Sequence, residues 1–176
     1  MSGKAWTDSL AEDQLAKWME WLDGLAVVGK LAIPRWTGFA DQEPLTLHVF
    51  ADASKSGYGA VAILVGNVCS KRAFVAGKGF VVNKRKPPTI PRTELQALVV
   101  AARLADVTIQ ELDGYANVTR VLLWSDSTTV VQWMLSEHRT FTEFVNNRVV
   151  EVANLLRKHA DKSAAVRWVD TANNPA

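Results

Sequence analysis

Apolar and polar residues alternate over residues 45–52, and this two-residue period is typical of a strand with two distinct faces. A second apolar run over residues 57–65 predicts another strand. Gly66 and Asn67 are expected to form a tight turn into a third strand over residues 68–76. Because the connections are short, the three runs predict an antiparallel meander.

Apolar residues recur at helical spacing over residues 7–24, where Ser9 followed by Glu12 matches a capping box. From residue 27 to residue 41 glycine and proline interrupt any period, so irregular chain is expected there. We therefore predict an N-terminal helix and connecting segment over residues 1–44 and a separate domain over residues 45–176.

The second half of the chain predicts helices between further strands. Residues 84–88 are basic and proline-rich, as in a loop, and Pro91 suits the first turn of a helix. The remaining predicted elements are a strand over 118–124, a helix through Leu135, a helix from a capping box of Thr140 and Glu143 to His159, and a strand over 166–169. This order predicts an α/β fold with a mixed five-stranded sheet flanked by helices.

Three acids occupy the ends of these predicted elements. Asp52 ends the first strand, Glu94 lies in the predicted first turn of the helix after the meander, and Asp126 ends the fourth strand. Side chains at such positions converge at one edge of an open α/β sheet. Like charges about 4 Å apart repel by about 4 kcal/mol at an effective dielectric constant near 20, so a cation is expected to offset them. The alternative is that each acid is an ordinary turn, cap or helix-dipole residue.

Composition narrows the chemistry without deciding it. The single cysteine, Cys69, excludes an internal disulfide and a cysteine-based zinc site, so any metal would be held by oxygen. A net charge of +2 permits a phosphate-bearing partner. Apolar runs such as residues 118–124 are far shorter than the roughly 20 residues of a membrane helix, so no membrane partner is expected.

Five ordered strings carry a resemblance to a known family. They are VFADASKSGYGAVAIL, IPRTELQALVVAARL, LLWSDSTTVVQWM, FTEFVNNRVVEV and RWVDTANNPA. Together they resemble the ribonuclease H domain of Bel/Pao-type retrotransposons over residues 45–176. Residues 1–44, with AIPRW, more loosely resemble the segment that connects reverse transcriptase to this nuclease.

The resemblance implies a ribonuclease H-like fold and an endonuclease that hydrolyses the RNA strand of an RNA:DNA hybrid. It implies two Mg²⁺ ions, for which Mn²⁺ could substitute. Asp52 would bridge both ions, Glu94 would bind one, and Asp126 would bind and help to place the nucleophile. The partner would be the reverse transcriptase domain of the same polyprotein, and the location a virus-like particle in the cytoplasm.

The resemblance departs from the family pattern at the last string. The family carries a fourth carboxylate directly after Asn-Pro-Ala, whereas this chain ends at Ala176, so a C-terminally truncated domain with a weak second metal site is expected. Asp170 is a weak candidate to replace that acid. The alternative function is a catalytically weak or inactive connection module that binds hybrid within a reverse transcriptase.

Other residues could contact nucleic acid, although loop solvation and helix capping explain them about as well. The candidates are Ser54, Lys84, Arg85, Lys86, Ser127, Thr128 and Asn146.

Two rival nucleases of the same fold are disfavoured by the order of the acids. An integrase-like strand transferase would place its glutamate after the second aspartate, whereas Glu94 precedes Asp126. A proofreading exonuclease would carry an acid two residues after Asp52, where this chain has Ser54.

Overall fold

A computed structural model of the protein describes residues 7–34, 37–40, 42–85, 87–136 and 140–176. The chain divides into two compact units, Met1–Trp36 and Thr37–Ala176. The first unit contains helix α1 (Glu12–Leu25) and a 3₁₀ turn (Val28–Lys30).

The predicted capping box at Ser9 is wrong. Helix α1 begins at Glu12, because the amides of Gln14 and Leu15 both bond to the carbonyl of Ala11. Ala11 is therefore the N-cap residue, and its methyl side chain cannot accept a hydrogen bond.

The second unit is built on a five-stranded sheet. Its strands are β1 (Leu45–Ala53), β2 (Gly57–Gly66), β3 (Arg72–Val81), β4 (Val118–Ser125) and β5 (Ala165–Trp168). The spatial order is β3-β2-β1-β4-β5. Strands β1, β2 and β3 pair antiparallel, whereas β4 runs parallel to both β1 and β5. The predicted mixed sheet is confirmed.

Three helices complete the second unit: α2 (Ile90–Glu111), α3 (Thr128–Leu135) and α4 (Glu143–Lys158). Helix α2 packs on β1, β2 and β4, and α4 packs beside α2. Fully buried residues of strand and helix, such as Leu47, Leu123, Leu95 and Leu98, form the core between them. None of the helices in the described ranges is both long and apolar enough to cross a membrane.

The connection between β2 and β3 is longer than the sequence predicts. Strand β3 begins at Arg72 rather than residue 68. The carboxylate of Glu43 accepts hydrogen bonds from the amides of Val68 and Cys69, and Ser70 adopts a left-handed conformation with φ 54°. Because these amides bind a side chain, the residues cannot pair with β2.

The second predicted capping box is also wrong. Helix α4 begins at Glu143 with Thr142 as its N-cap residue, and no side chain caps it. The amide of Asn146 bonds to the carbonyl of Thr142, so the N-cap lies two residues after the predicted cap at Thr140.

Candidate functional site

Asp52 lies near the end of β1, and Asp126 directly follows the neighbouring strand β4 at the same end of the sheet. Strands β1 and β4 are parallel, and Ala51 pairs with Ser125. Asp52 follows Ala51 and Asp126 follows Ser125, so the two acids come directly after a pair of neighbouring residues. Burial raises the pKa of Asp52, and the charge of Asp126 acts in the same direction, against the hydrogen bond from the Ala53 amide. The charge of Asp126 therefore acts on Asp52, which is consistent with the neighbouring positions of the two acids.

Glu94 lies in the second turn of α2, not in the first turn as predicted. The helix begins at Ile90, and the amides of Arg92 and Thr93 both bond to the carbonyl of its N-cap residue Thr89. Glu94 is thus the fifth helical residue. Stabilisation by the helix dipole falls off beyond the first turn. The alternative that Glu94 only compensates the helix dipole is therefore weaker.

A hydrogen bond connects Glu94 to the loop that carries Asp126. The hydroxyl of Ser127 donates to Glu94 Oε2 over 2.6 Å. Ser127 directly follows Asp126, so this bond joins Glu94 of α2 to the residue after the acid that follows β4.

The other two carboxylates are also held by hydrogen bonds. Asp52 Oδ1 accepts from the amide of Ala53 over 2.7 Å, and Asp126 Oδ2 accepts from Thr171 Oγ1 over 2.8 Å. The indole of Trp168 donates to the backbone carbonyl of Asp126 over 3.1 Å. Sequence reasoning missed Thr171 and Trp168, although both lie in the last string of the resemblance.

The segment after β5 is tied to the same edge of the sheet. Asn174 Nδ2 donates to the carbonyl of Ala51 over 3.0 Å, one residue before Asp52. Asp170 accepts from the amide of Ala172 and caps the 3₁₀ turn Thr171–Asn173. Its predicted role as a replacement ligand stays a prediction.

Oxygen donors suit a hard divalent cation, and the three acids supply only oxygen. Within the part of the chain that the structure describes, however, no three His, Cys, Asp or Glu side chains form a group that could hold a metal ion. The strand register makes Asp52 and Asp126 neighbours, and Glu94 is hydrogen-bonded to Ser127, the residue after Asp126. The assignment of all three as metal ligands stays a prediction.

Comparison with known families identifies the family of this chain. The sequence profile described as "Pao retrotransposon-like RNaseH-like domain" matches residues 1–127. The chain belongs to this family. The predicted family membership and ribonuclease H-like fold are therefore confirmed. No curated protein sequence matches the chain.

Solved structures share the fold of this Pao-family domain at low sequence identity. Ribonuclease H1 from the halophilic archaeon Halobacterium salinarum NRC-1 is 17% identical, with a TM-score of 0.50 over 74% of this chain and 89% of that chain. LC11-RNase H1, isolated from compost, is 11% identical, with a TM-score of 0.52 over 76% and 89%. In its complex with an RNA/DNA hybrid, the same protein is 11% identical, with a TM-score of 0.51 over 74% of this chain and 88% of that chain. These identities show the fold alone.

A groove of about 460 Å³ in the Pao-family domain begins at Asp52. It runs past Ser54 and Tyr58 to Lys78 and Phe80 on β3. Phe80 is 42% exposed and its ring stacks on Tyr58 at 5.5 Å, and Lys78 Nζ lies 5.6 Å from the Phe80 ring centroid. The groove therefore joins an acid to an aromatic pair and a cation.

A second groove, of about 580 Å³, lies beside the start of α2. Thr89, Arg92 and Thr142 supply polar groups to it. Trp133 and Phe141 supply aromatic rings, which meet edge to face at 6.1 Å.

The predicted nucleic-acid contacts occupy several places. Lys84 and Arg85 are exposed in the loop before α2, and Asn146 is exposed on α4. Ser127 is only 7% exposed, whereas Thr128 is exposed at the start of α3. Lys86 lies outside the described residues.

Ser54 organises the turn between β1 and β2. Its hydroxyl accepts from the amides of Ser56 and Gly57 and donates to the carbonyl of Gly57. Contact of Ser54 and the other candidates with nucleic acid stays a prediction.

Proposed function

We propose that this Pao-family domain is an endoribonuclease that hydrolyses the RNA strand of RNA:DNA hybrids with two Mg²⁺ ions, which Mn²⁺ can replace. The observation that carries the proposal is the pair of neighbouring acids, Asp52 and Asp126, together with the hydrogen bond from Ser127, the residue after Asp126, to Glu94. Hydrolysis would leave a 5′-phosphate and a 3′-hydroxyl.

The chain's own residues would bind and orient the catalytic ions. Asp52 would bridge the two ions, Glu94 would bind one, and Asp126 would bind and help to place the attacking water. Two divalent ions, when bound, would supply an activated water molecule and charge stabilisation for the leaving oxygen in phosphodiester hydrolysis. The hydrogen bonds from Ala53, Ser127 and Thr171 each fix one oxygen of a carboxylate, which limits the reorganisation needed on binding.

Two grooves support a two-stranded substrate. A hybrid is read by its shape and its 2′-hydroxyls rather than by base edges, so polar and aromatic surfaces suffice. The groove from Asp52 to Phe80 and the groove from Thr89 to Phe141 would both contact the hybrid. The structural likeness to LC11-RNase H1, whose complex contains an RNA/DNA hybrid, supports this substrate class.

Family membership also supports a partner and a location. A Pao retrotransposon-like domain would act beside the reverse transcriptase domain of the same polyprotein, in a cytoplasmic virus-like particle. If so, a tagged polyprotein should carry both domains into sedimenting cytoplasmic particles. A nuclease domain that remains outside those particles would contradict this placement.

A cleavage assay tests the proposed activity. End-labelled RNA is offered as a hybrid, as a single strand and as an RNA duplex, with Mg²⁺ or with Mn²⁺. Only the hybrid should be cut. Asp52→Asn and Asp126→Asn should each lower the rate of hybrid cleavage by about a hundredfold or more, because several kcal/mol of charge stabilisation depend on the bound ions. Asp113→Asn, an exposed acid after α2, is the matched control and should keep full activity.

A second candidate function is a connection module that binds hybrid without cutting it. It is favoured by the finding that the described residues contain no ready group of three metal-binding side chains. Fluorescence anisotropy with labelled hybrid separates the two functions. Tight binding with no cleavage under either metal would establish the connection module and refute the nuclease.

A further inference from the structure

The hydroxyl of Ser127 has two hydrogen-bonding roles. As the N-cap of α3, its oxygen accepts from the amide of Val130 over 3.3 Å. Its proton is donated to Glu94 Oε2 over 2.6 Å. A serine hydroxyl has one donor and two acceptor sites, so both bonds can form together.

The surroundings of Ser127 fix the hydroxyl in place. The residue is 7% exposed, and its amide donates to Ser125 Oγ over 3.2 Å. The N-cap bond anchors the oxygen to α3, while Glu94 belongs to α2, 33 residues earlier in the chain. The hydroxyl thus links two helices at the residue next to Asp126.

A glutamate has several rotatable bonds, and ordering such a side chain costs conformational entropy. A short hydrogen bond to a carboxylate is stronger than one between neutral groups. Because Oε2 is engaged by Ser127, the rotation of the Glu94 carboxylate is restricted before any ion binds.

We propose that Ser127 is a positioning residue, which restrains the Glu94 carboxylate at the loop that carries Asp126 and so raises the affinity of Glu94, Asp52 and Asp126 for a divalent cation. The inference rests on the proposed function, because it assigns Glu94 the role of a metal ligand. It gives Ser127 a role that does not require contact with nucleic acid.

Substitutions at Ser127 can separate the cap from the link to Glu94. Glycine is nearly as good an N-cap as serine but has no hydroxyl, so Ser127→Gly removes the link at little cost to α3. Aspartate caps well but cannot donate when ionised, and its charge repels Glu94. Threonine keeps the hydroxyl, so Ser127→Thr should keep both bonds.

The test measures Mn²⁺ binding by electron paramagnetic resonance, without substrate, beside hybrid cleavage over a range of Mn²⁺ concentrations. We expect Ser127→Gly to weaken Mn²⁺ binding at least about tenfold, as for loss of a hydrogen bond to a charged group. Ser127→Asp should weaken it further, and Ser127→Thr should stay within about threefold of the unsubstituted chain. The KM for hybrid should not change, and excess Mn²⁺ should restore part of the kcat.

A matched control lies at the other end of α3. Ser136 donates to the carbonyl of Gln132 and is partly exposed, and Ser136→Gly should leave Mn²⁺ affinity unchanged. Thermal unfolding of every variant without metal distinguishes loss of the site from loss of the fold.

The outcomes separate this inference from the proposed function. If the unsubstituted chain binds Mn²⁺ and cleaves hybrid but Ser127→Gly matches its Mn²⁺ affinity, the positioning role is refuted and the nuclease stands. If Ser127→Gly raises KM for hybrid with unchanged Mn²⁺ affinity, Ser127 contacts substrate instead. If the unsubstituted chain neither binds Mn²⁺ nor cuts, the proposed function itself fails.

Discussion

Thr171 Oγ1 donates a 2.8 Å hydrogen bond to Asp126 Oδ2, so the segment after the last strand fixes the acid that follows β4. The indole of Trp168 donates to the carbonyl of the same aspartate. Asp126 is therefore held through both its side chain and its backbone by residues more than 40 positions later in the chain.

The first prediction concerns this contact. Thr171→Val keeps the shape of the side chain and removes the donor, so the Asp126 carboxylate gains rotational freedom. A hydrogen bond to a charged group is worth about 1.5–3 kcal/mol, and the exposure of Thr171 places it at the low end. We expect kcat/KM for hybrid cleavage to fall by roughly tenfold, measured at limiting Mg²⁺.

The control for this prediction is Thr119→Val. Thr119 donates to the carbonyl of Leu45, at the opposite end of β1 from Asp52. Its substitution should leave cleavage unchanged. Equal activity of Thr171→Val and Thr119→Val would show that the hydroxyl of Thr171 does not support Asp126.

The strands and the neighbouring pair of aspartates could be predicted from sequence because their signals are local. The alternation before Asp52 and the β-rich run before Asp126 each identify a strand and its end. Parallel pairing then makes the two acids neighbours, which follows from fold class.

The hydrogen bonds around the site could not be predicted, because they join residues that are distant in sequence. Ser127 and Glu94 are 33 residues apart, and nothing in either local pattern indicates their contact. The connection after β2 was mispredicted for a similar reason. Glu43, some 25 residues earlier, accepts hydrogen bonds from the amides of Val68 and Cys69. After a tight turn at Gly66 and Asn67, these amides would have paired within the sheet.

The second prediction uses the raised pKa of Asp52, which arises from burial and from the charge of Asp126. A raised folded-state pKa means that the protonated form favours folding at low pH, and that this contribution is lost as pH rises through the folded-state value. At neutral pH without metal, Asp52→Asn should therefore unfold at a higher denaturant concentration than the unsubstituted chain. Near pH 3 the advantage should vanish.

Asp113→Asn is the control for this pH dependence, because Asp113 is exposed on a loop. The stability of Asp113→Asn should follow that of the unsubstituted chain at both pH values. An Asp52→Asn variant that is less stable at neutral pH would contradict the unfavourable ionisation of Asp52.

The third prediction concerns two glycines of the β2–β3 ladder. A Cβ at Gly59 would lie 2.6 Å from the carbonyl oxygen of Lys78, a backbone atom that cannot move without separating the strands. A Cβ at Gly77 would have its nearest neighbour at 3.7 Å, which is ordinary contact. Gly59→Ala should destabilise the domain by roughly 1–3 kcal/mol, whereas Gly77→Ala should be neutral or stabilising by up to about 1 kcal/mol.

Urea unfolding of the two alanine variants checks this difference. Because Gly59 pairs with Asp52, Gly59→Ala should also lower cleavage beyond its effect on stability. Similar unfolding midpoints for both variants would show that strands β2 and β3 tolerate the added methyl group.

The last prediction compares two ion pairs that join α2 to α4. Asp106 Oδ1 accepts from Lys158 Nζ over 2.6 Å and contacts His159 Nε2 at 2.7 Å, and His159 is 8% exposed. Arg103 and Glu151 form the other pair, with the arginine side chain 64% exposed. Asp106→Ala leaves a buried imidazole without its partner and should cost about 1–3 kcal/mol. Glu151→Ala breaks a solvated pair and should cost about 0–1 kcal/mol.

The pH dependence of the Asp106 contribution follows from its pKa. Burial alone would raise that pKa, but the hydrogen bonds from Lys158 and His159 outweigh it and lower the pKa below the usual value. A lowered folded-state pKa gives stability that is present above the unfolded-state value and is lost as pH falls through the folded-state value. In urea unfolding, the difference between Asp106→Ala and the unsubstituted chain should therefore be largest near neutral pH and should shrink in acid. A difference that grows in acid would mean that another group holds α2 and α4 together.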